Sequence, residues 1–413
     1  MKPILSLSAA LFFAATQCNQ LTSQNETDKQ MVTSQTSGQG NAVTTGNNQF
    51  AKELGEYYIN SAEQKNKNIF FSPFSISSVL AMTSEGARNQ TALEMQQVLH
   101  LPKAENTRQA GFERLINNLN SGSEDYKLSI ANALWLQNDY KIVPGFLQVG
   151  YSKYHAHAEN VNFATQPEVA IKTINTWVED HTNKRIKDLL SAPDVKGANL
   201  ILTNAVYFQA DWDHPFSEAN TKEDDFTKAD GTRTKAKMMS TQSDYLYYET
   251  SEAQVVELPY KSDKLSMVIY LPKSGQAIKN LGFTNNFTFD NKNKKTESVF
   301  VSLPKFKFET KYKMKDDLSK MGMPTPFSSK ADFSGISDGK DLQIGEVIHQ
   351  AFIEVNEKGT EASAATAVAM PRGAMPSKEK PKQFIANHLF VFAIKHNVTG
   401  LVLFTGVVNN PNL

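Results

Sequence analysis

The most constraining feature of this sequence is a run of ten residues near its C-terminal end, Thr360–Ala369, in which every residue except Glu361 is Ala, Ser, Thr or Val. Side chains of this size lose little conformational entropy when they are ordered. Because alternate residues of a strand lie on opposite faces, the run can present small or β-branched side chains on one face and keep Glu361 on the other. The run is therefore either a flexible linker or a segment that can enter a β-sheet without burying a charge.

The charge balance excludes two classes of partner. The chain of 413 residues carries 43 basic and 43 acidic residues, so it offers no electrostatic basis for binding nucleic acid or a membrane surface. A chain of this length ordinarily has two or three domains. The composition is nevertheless uniform from Asn47 up to the small-residue run, so we predict one large domain over residues 47–413.

The N-terminal segment predicts export. In residues 1–17, one lysine precedes an apolar stretch, Ile4–Ala15, that is too short to span a bilayer. The only cysteine, Cys18, stands where a bacterial lipoprotein signal has its acylated residue, although Gln17 replaces the usual small residue. Residues 18–46 are mostly Gln, Thr, Ser, Asn and Gly, which predicts a disordered tether with a reach of roughly 30 Å. We expect an outer-membrane or cell-surface lipoprotein or a secreted protein; the alternative is an unprocessed leader without a tethering role.

Several blocks of the large domain predict regular structure. The dipeptide Ser72–Pro73 is typical of a helix start, and apolar residues follow it at helical spacing. Residues 131–136, with the sequence ANALWL, predict a buried strand, and residues 174–190 have a helical pattern. For Trp135 and Trp177 we expect packing in the core.

Taken together, these blocks and the sequences around the small-residue run resemble the serpin family. The resemblance covers about residues 47–413, most of the chain. The segments that carry it are SPFS (72–75), NAVYFQADWDHPF (204–216), VELPY (256–260), VSLPKF (301–306), ADFSGI (331–336), FIANHLFVFAI (384–394) and LFTGVVNNP (403–411).

The resemblance implies an α+β serpin fold. Such a fold is a single domain with a large central mixed β-sheet, smaller sheets, about nine helices and an exposed reactive-centre loop, here at about residues 357–383. In this family a hinge precedes the loop, a region called the breach lies at the top of the central sheet, and the shutter lies under its middle.

The matching motifs assign residues to these regions. The implied hinge residues are Glu357, Gly359, Thr360, Glu361, Ala362, Ser363, Ala364, Ala365 and Thr366. The implied breach and shutter residues are Ser72, Ser75, Asn204, Trp212, Lys305 and His349. The resemblance also implies that the hydroxyls of Ser72 and Ser75 are hydrogen-bonded, with Asn204 and His349 as partners. It further implies an exposed ionic latch between Lys305 and Glu357.

As a serpin, the chain is expected to be an irreversible suicide-substrate inhibitor of serine, and also cysteine, endopeptidases. The target cuts the loop and forms an acyl-enzyme in a covalent 1:1 complex, and insertion of the cleaved loop into the central sheet then traps it. The small residues from Thr360 onward favour an inhibitor; the alternative is a non-inhibitory serpin-fold binding protein. We expect a monomer with target endopeptidases as partners and without a cofactor or metal.

The scissile bond lies among the residues that follow the run. The family's usual count from Glu357 places Gly373 before the bond, but glycine offers a protease no side chain to bind. A hinge one residue shorter presents Arg372, whose guanidinium a trypsin-like protease can bind through a buried carboxylate. We predict Arg372–Gly373 as the principal bond. The alternatives, suited to elastase-like or chymotrypsin-like enzymes, are Met370, Ala374 and Met375.

Two other patterns could indicate enzyme or metal chemistry. Residues 335–339 fit the G-x-S-x-G motif of a hydrolase with Ser337 as nucleophile, but that motif needs a buried strand before the serine and the preceding residues do not predict one. His155 and His157 could supply two metal ligands, but the sequence nearby offers no third. We therefore predict that the protein is not an enzyme.

Overall fold

A computed structural model describes five segments of the chain, namely residues 42–120, 126–273, 295–338, 341–360 and 380–412. The predicted export signal, Cys18 and nearly all of the predicted tether lie outside these segments, so export, lipid attachment and the tether remain predictions.

The first helix, α1, corrects the predicted start of the folded domain. It covers residues 42–60 and therefore includes residues that were assigned to the tether before Asn47. Val43 is buried in the core, and the Asn47 side-chain amide donates a hydrogen bond to the Val402 carbonyl oxygen at 3.0 Å. The predicted boundary is too late because the residues around Val43 are mostly polar, and a boundary based on average composition does not detect one buried valine.

Eight α-helices lie in the described residues, close to the nine expected. The other seven are α2 (Pro73–Glu85), α3 (Asn89–Val98), α4 (Glu105–Asn120), α5 (Pro144–Tyr154), α6 (Pro167–His181), α7 (Ala192–Val195) and α8 (Lys315–Lys320). The predicted helix start at Ser72–Pro73 is confirmed, because the Ser72 hydroxyl accepts a hydrogen bond from the Ser75 backbone N–H and Pro73 opens α2.

Helix α6 is shorter than the sequence pattern predicts. The pattern continues to residue 190, but the helix ends at His181. Three residues beyond this end, Asn183, Lys184 and Asp188, have left-handed backbone angles with φ of 50°, 59° and 50°. A right-handed helix cannot continue through such residues. The apolar side chains that follow, Ile186, Leu189 and Leu190, therefore belong to a loop, and they are buried in the core.

The central sheet is mixed and has six strands in the order β10-β11-β12-β4-β2-β3. Their bounds are β2 (Tyr126–Gln137), β3 (His157–Val161), β4 (Leu200–Asp211), β10 (Phe306–Lys313), β11 (Ile344–Val355) and β12 (Gly359–Thr360). Neighbouring strands run antiparallel except for two parallel pairs, β2 with β3 and β11 with β4.

The other nine strands form a second sheet, whose two parts are joined through the long strand β6. One part follows the order β1-β15-β14-β8-β7-β6, and β6 also pairs with β5 and with β9, which pairs with β13. The bounds are β1 (Ile69–Phe71), β5 (Lys222–Thr227), β6 (Arg233–Glu249), β7 (Ala253–Pro259), β8 (Leu265–Pro272), β9 (Lys295–Pro304), β13 (Lys382–Ile385), β14 (Phe390–His396) and β15 (Val402–Val408).

The central sheet is covered on both faces. Along β2, Leu134 and Leu136 point into the main core, whereas Trp135 points to the opposite face and packs against residues of α6. Helix α2 lies in the main core, packed against β2, β4 and β15, and nearly all of its side chains are buried. This helix carries the two serines of the predicted shutter to the underside of the sheet.

Candidate functional site

The candidate site lies where the predicted hinge meets the central sheet. Strand β12 lies between β11 and β4 and runs antiparallel to both, with Thr360 opposite Val355 on one side and Ala210 on the other. Further along, β11 and β4 pair directly with each other in parallel register, so that His349 lies opposite Asn204. Strands β11 and β4 are thus separated by β12 at the top of the sheet, and they are hydrogen-bonded directly to each other below it.

Gly359 makes this close approach possible. A Cβ atom at this position would lie 2.0 Å from the Ala210 carbonyl oxygen and 2.7 Å from the Asp211 Cα. Both atoms belong to the backbone of β4 and cannot move aside without breaking the strand pairing. A glycine is therefore required where the hinge enters the sheet.

Trp212 anchors the hinge at the breach, as the resemblance implies. Its indole Nε1–H donates to the Asn356 carbonyl oxygen at 3.0 Å, and its backbone N–H donates to the Lys358 carbonyl oxygen at 2.8 Å. The indole stacks on the Tyr260 ring with 4.5 Å between centroids and 8° between planes. Trp212 is buried, so it holds the hinge backbone from within the protein.

The predicted pair of Lys305 and Glu357 is present, but it is not an exposed latch. The Lys305 Nζ lies 2.7 Å from a Glu357 carboxylate oxygen, and the exposed fractions of the two side chains are 35% and 7%. The Thr221 hydroxyl donates to the other Glu357 oxygen at 2.8 Å. Burial alone would raise the pKa of Glu357, but the hydrogen bonds from Lys305 and Thr221 outweigh it and lower the pKa.

The predicted shutter residues meet in one buried network. The Ser72 backbone N–H donates to His349 Nε2 at 3.1 Å, so the proton of this imidazole is on Nδ1, which donates to the Asn204 side-chain oxygen. The Ser72 hydroxyl donates to the Leu403 carbonyl oxygen at 2.7 Å, which corrects the partner expected for this hydroxyl. The Asn204 amide in turn donates to the Ser75 hydroxyl and to the Asn132 oxygen. The network therefore links α2 to three adjacent strands of the sheet.

Burial controls the charge of His349. Its side chain has no exposed surface, and this burial lowers the pKa of the imidazole to about 3. His349 is therefore neutral at physiological pH. A protonated imidazole would lose the acceptor that binds the Ser72 N–H.

Three residues of the site were not identified from the sequence. They are Asn132, Thr221 and Tyr260, whose hydroxyl lies 2.7 Å from the Thr360 hydroxyl. Asn132 had a signal, because an amide within an apolar strand must find a hydrogen-bond partner, and its partner Asn204 is directly opposite in the β2–β4 pairing. Thr221 and Tyr260 had none, since their contacts with the hinge arise only in the folded chain.

Most of the predicted loop residues lie outside the described segments. These are the hinge residues Glu361, Ala362, Ser363, Ala364, Ala365 and Thr366 and the candidate reactive-site residues Met370, Arg372, Gly373, Ala374 and Met375. The predicted positions of the scissile bond and of the inner hinge therefore stay predictions.

The alternative chemistries gain no support from the described residues. Ser337 is buried, and its backbone pairs with Ile142 rather than forming a turn between a strand and a helix. His155 ends α5 in a left-handed conformation, and the His157 Nε2 pairs with Glu159 at 2.8 Å. In the segments that the structure describes, no group of three or more His, Cys, Asp or Glu side chains is placed to hold a metal ion.

Comparison with known proteins agrees with this geometry. The family model for serpins, described as serine protease inhibitors, matches residues 45–411. An uncharacterized serpin-like protein of Thermococcus kodakarensis is 41% identical, with the alignment covering 91% of this chain and 87% of the relative. The leukocyte elastase inhibitor of Bos taurus is 36% identical over 89% of this chain and 99% of its own length.

A solved structure shows the same architecture. Tengpin, a thermophilic serpin solved in its native state, superposes with a TM-score of 0.78 at 32% identity, covering 89% of this chain and 94% of that one. The family match begins within α1 and ends after the last strand, β15. The chain therefore belongs to the serpin family.

Proposed function

We propose that this protein is an irreversible suicide-substrate inhibitor of serine endopeptidases, and also of cysteine endopeptidases. The observation that carries the proposal is the placement of β12 between β11 and β4 above a stretch where those two strands pair directly. A strand that continued from β12 would run antiparallel to both neighbours. It would replace one parallel pairing by two antiparallel pairings, which are slightly more stable per residue.

The covalent step uses the protease's own chemistry. The hydroxyl or thiol of the protease attacks the carbonyl carbon of the scissile peptide bond. The C–N bond breaks, and the proton of that hydroxyl or thiol is transferred to the amine that leaves as the new amino terminus. The inhibitor is then attached as an ester or thioester to the protease. Insertion of the freed loop would drag the attached protease across the molecule and distort its active site, so that water could not complete the hydrolysis of the acyl-enzyme.

The residues that follow β12 fit an inserted strand. Residues 362–369 are all Ala, Ser, Thr or Val, so neither face would bury a charge or a long side chain. Glu361 follows Thr360 and would point to the opposite face from it. The insertion path crosses the level of His349 and Asn204, so the shutter network must rearrange before the strand can pass.

The proposed target is a trypsin-like protease that cleaves Arg372–Gly373. An arginine guanidinium forms paired hydrogen bonds with a carboxylate in a specificity pocket. Neighbouring bonds at Met370, Ala374 and Met375 would serve elastase-like or chymotrypsin-like enzymes. The product would be a 1:1 covalent complex of a monomeric inhibitor that needs no cofactor or metal.

We further propose that the inhibitor works outside the cytoplasm. The apolar segment before Cys18 supports export, and Cys18 itself supports lipid attachment to an outer membrane or cell surface. The polar stretch that follows would hold the inhibitory domain away from the membrane. Mass spectrometry of the protein from its native cells tests this, because a diacylglyceryl group on Cys18 gives a defined mass increase and simple secretion gives none.

The inhibitory function is tested by mixing the full chain with trypsin and, separately, with an elastase. A band that survives denaturing electrophoresis at the summed mass of inhibitor and protease is expected, and the mass of the released C-terminal peptide identifies the scissile bond. Cleavage without such a band would contradict trapping. That outcome would favour the alternative of a non-inhibitory serpin-fold binding protein.

A further inference from the structure

The side chain of Thr360 is already inside the sheet. It is 1% exposed, and its hydroxyl lies 2.7 Å from the Tyr260 hydroxyl. Both groups are buried, and a buried hydroxyl without a partner costs more than one left in water. The hydrogen bond between the two hydroxyls therefore lowers the free-energy cost of burying each of them.

Tyr260 is held from the opposite side by elements that do not belong to the hinge. Its ring stacks on Trp212 and meets the edge of Phe208 with 5.5 Å between centroids and 79° between planes. Its backbone N–H donates to the Leu265 carbonyl oxygen at 3.0 Å, directly after strand β7. Tyr260 therefore joins the hinge to the second sheet, which lies outside the path of an inserting strand.

The contact is a neutral hydrogen bond. Burial raises the pKa of the Tyr260 phenol, so the hydroxyl keeps its proton at every physiological pH. In this respect it differs from the Lys305–Glu357 ion pair, whose strength depends on salt and on acid. Salt can therefore be used to separate the two contacts in an experiment.

We propose that Tyr260 is a positioning residue that keeps Thr360 in the central sheet before cleavage, so that the inserting strand has its first residue in place. This inference rests on the inhibitory function proposed above. When the loop is cut, insertion extends an existing strand rather than starting one. The same contact limits how far the uncut hinge can extend from the sheet towards a protease.

Hydrogen exchange tests the contact directly in the full chain. Tyr260→Phe removes the hydroxyl and keeps the stacked ring, and we expect amides in residues 356–360 to exchange about tenfold faster, a typical effect of leaving one buried hydroxyl unpaired. Thr360→Val removes the other hydroxyl and keeps the branched shape, with the same expected increase. Because each change removes the same bond, the double variant should exchange no faster than either single variant.

Tyr247→Phe is the matched control. Tyr247 is also a buried residue, and its partly buried hydroxyl donates to Glu249 at 2.7 Å and accepts from Gln254 at 2.8 Å, without touching the hinge. This variant should leave exchange of residues 356–360 unchanged. The increase in Tyr260→Phe should persist in high salt, whereas an increase caused by loss of the ion pair would be reproduced in the wild type by salt alone.

A second readout links the contact to inhibition. We expect Tyr260→Phe to require severalfold more inhibitor per protease molecule inactivated, because more acyl-enzyme is hydrolysed before insertion starts. Hinge exchange within twofold of the wild type in Tyr260→Phe would overturn the inference, and so would additive effects in the double variant. If the wild type forms no covalent complex, the proposed inhibitory function fails, and the exchange measurements still decide the role of Tyr260.

Discussion

The breach and the shutter are both buried polar sites between β4 and β11, and they differ in what holds the strands. At the breach, β12 already separates the two strands, and the contacts are an ion pair, a stacked indole and hydrogen bonds to hinge carbonyls. At the shutter, β4 and β11 are paired directly, and a neutral network of hydroxyl, amide and imidazole groups lies across them.

Under the proposed mechanism, this difference would let the sheet be closed before cleavage and open after it. Charged contacts at the breach hold the hinge, and they weaken with salt. The neutral network at the shutter depends on geometry, because each buried group must keep its partner. We therefore expect the two sites to respond to different changes of sequence and solvent, and the following predictions separate them.

The largest effect is expected from Thr360→Arg at the breach. The arginine would have to place a charge in a site where the threonine is 1% exposed, so the hinge would leave the sheet. Covalent complex should be lost entirely while the loop is still cut, as seen on denaturing gels. Thr360→Ser, which keeps a small hydroxyl, should still form the complex; a full yield of complex with Thr360→Arg would contradict strand insertion.

The next largest effect is expected from Asn204→Ala at the shutter. This change leaves the His349 Nδ1–H without its acceptor and removes the amide that donates to the Ser75 hydroxyl and to the Asn132 oxygen. We expect a loss of about 2–4 kcal/mol in the free energy of unfolding, measured in urea. Asn60→Ala removes an exposed amide at the end of α1 as a control and should cost less than about 0.5 kcal/mol; equal costs would contradict the assigned network.

As the pH is lowered, the stability contributed by the shutter should be lost before the stability contributed by the breach. The pKa of His349 is lowered to about 3 from 6.5, so below pH 6.5 the unfolded chain binds a proton that the native protein does not. Stability from this group is therefore lost as the pH falls from 6.5 towards 3, at up to about 1.4 kcal/mol per pH unit.

The breach follows at lower pH. The pKa of Glu357 is lowered from 4.5, so its contribution is lost only as the pH falls below that value. Unfolding in urea at pH 7, 5.5 and 4 should show a smaller decrease between pH 7 and 5.5 in His349→Gln than in the wild type. Identical slopes in the two proteins would show that His349 is not buried in its neutral form.

The smallest effect is expected from Lys305→Ala. It leaves the buried Glu357 carboxylate with the Thr221 hydroxyl as its described side-chain partner, and because Lys305 is partly exposed we expect a cost of about 1–2 kcal/mol at low salt. Lys307→Ala breaks the more exposed pair with Glu354 and should cost less than about 0.5 kcal/mol. Thermal unfolding at low and high salt measures both; no salt dependence of the Lys305 effect would contradict an electrostatic role.

Much of the site could be predicted because its residues occur in recognisable local patterns. Ser72 at a helix start, the asparagine of NAVYF and the glycine of the hinge each stand in a motif that specifies their surroundings. The predicted start of the domain was wrong because it depended on average composition, whereas one buried residue, Val43, places α1 in the core. The prediction also failed where backbone conformation ended a periodic pattern, as left-handed residues did after His181.

The burial of Glu357 could not be predicted for a different reason. Sequence alone pairs Lys305 with Glu357 but carries no information on how much water reaches them. In the folded chain the Phe216 N–H donates to the Glu357 carbonyl oxygen at 2.8 Å, and the Thr221 hydroxyl donates to the Glu357 carboxylate at 2.8 Å. These contacts join residues more than a hundred positions apart.

The sequence by itself determined the family, the helix start beneath the sheet and the small side chains that an inserting strand needs, because each depends on local residue type and order. Only the tertiary structure decided that Thr360 already lies within the sheet and that Tyr260 meets it there. It also decided that His349 is buried in its neutral form. The physical reason is that strand register, burial and hydrogen-bond partners are set by packing between distant segments, and no local pattern specifies them.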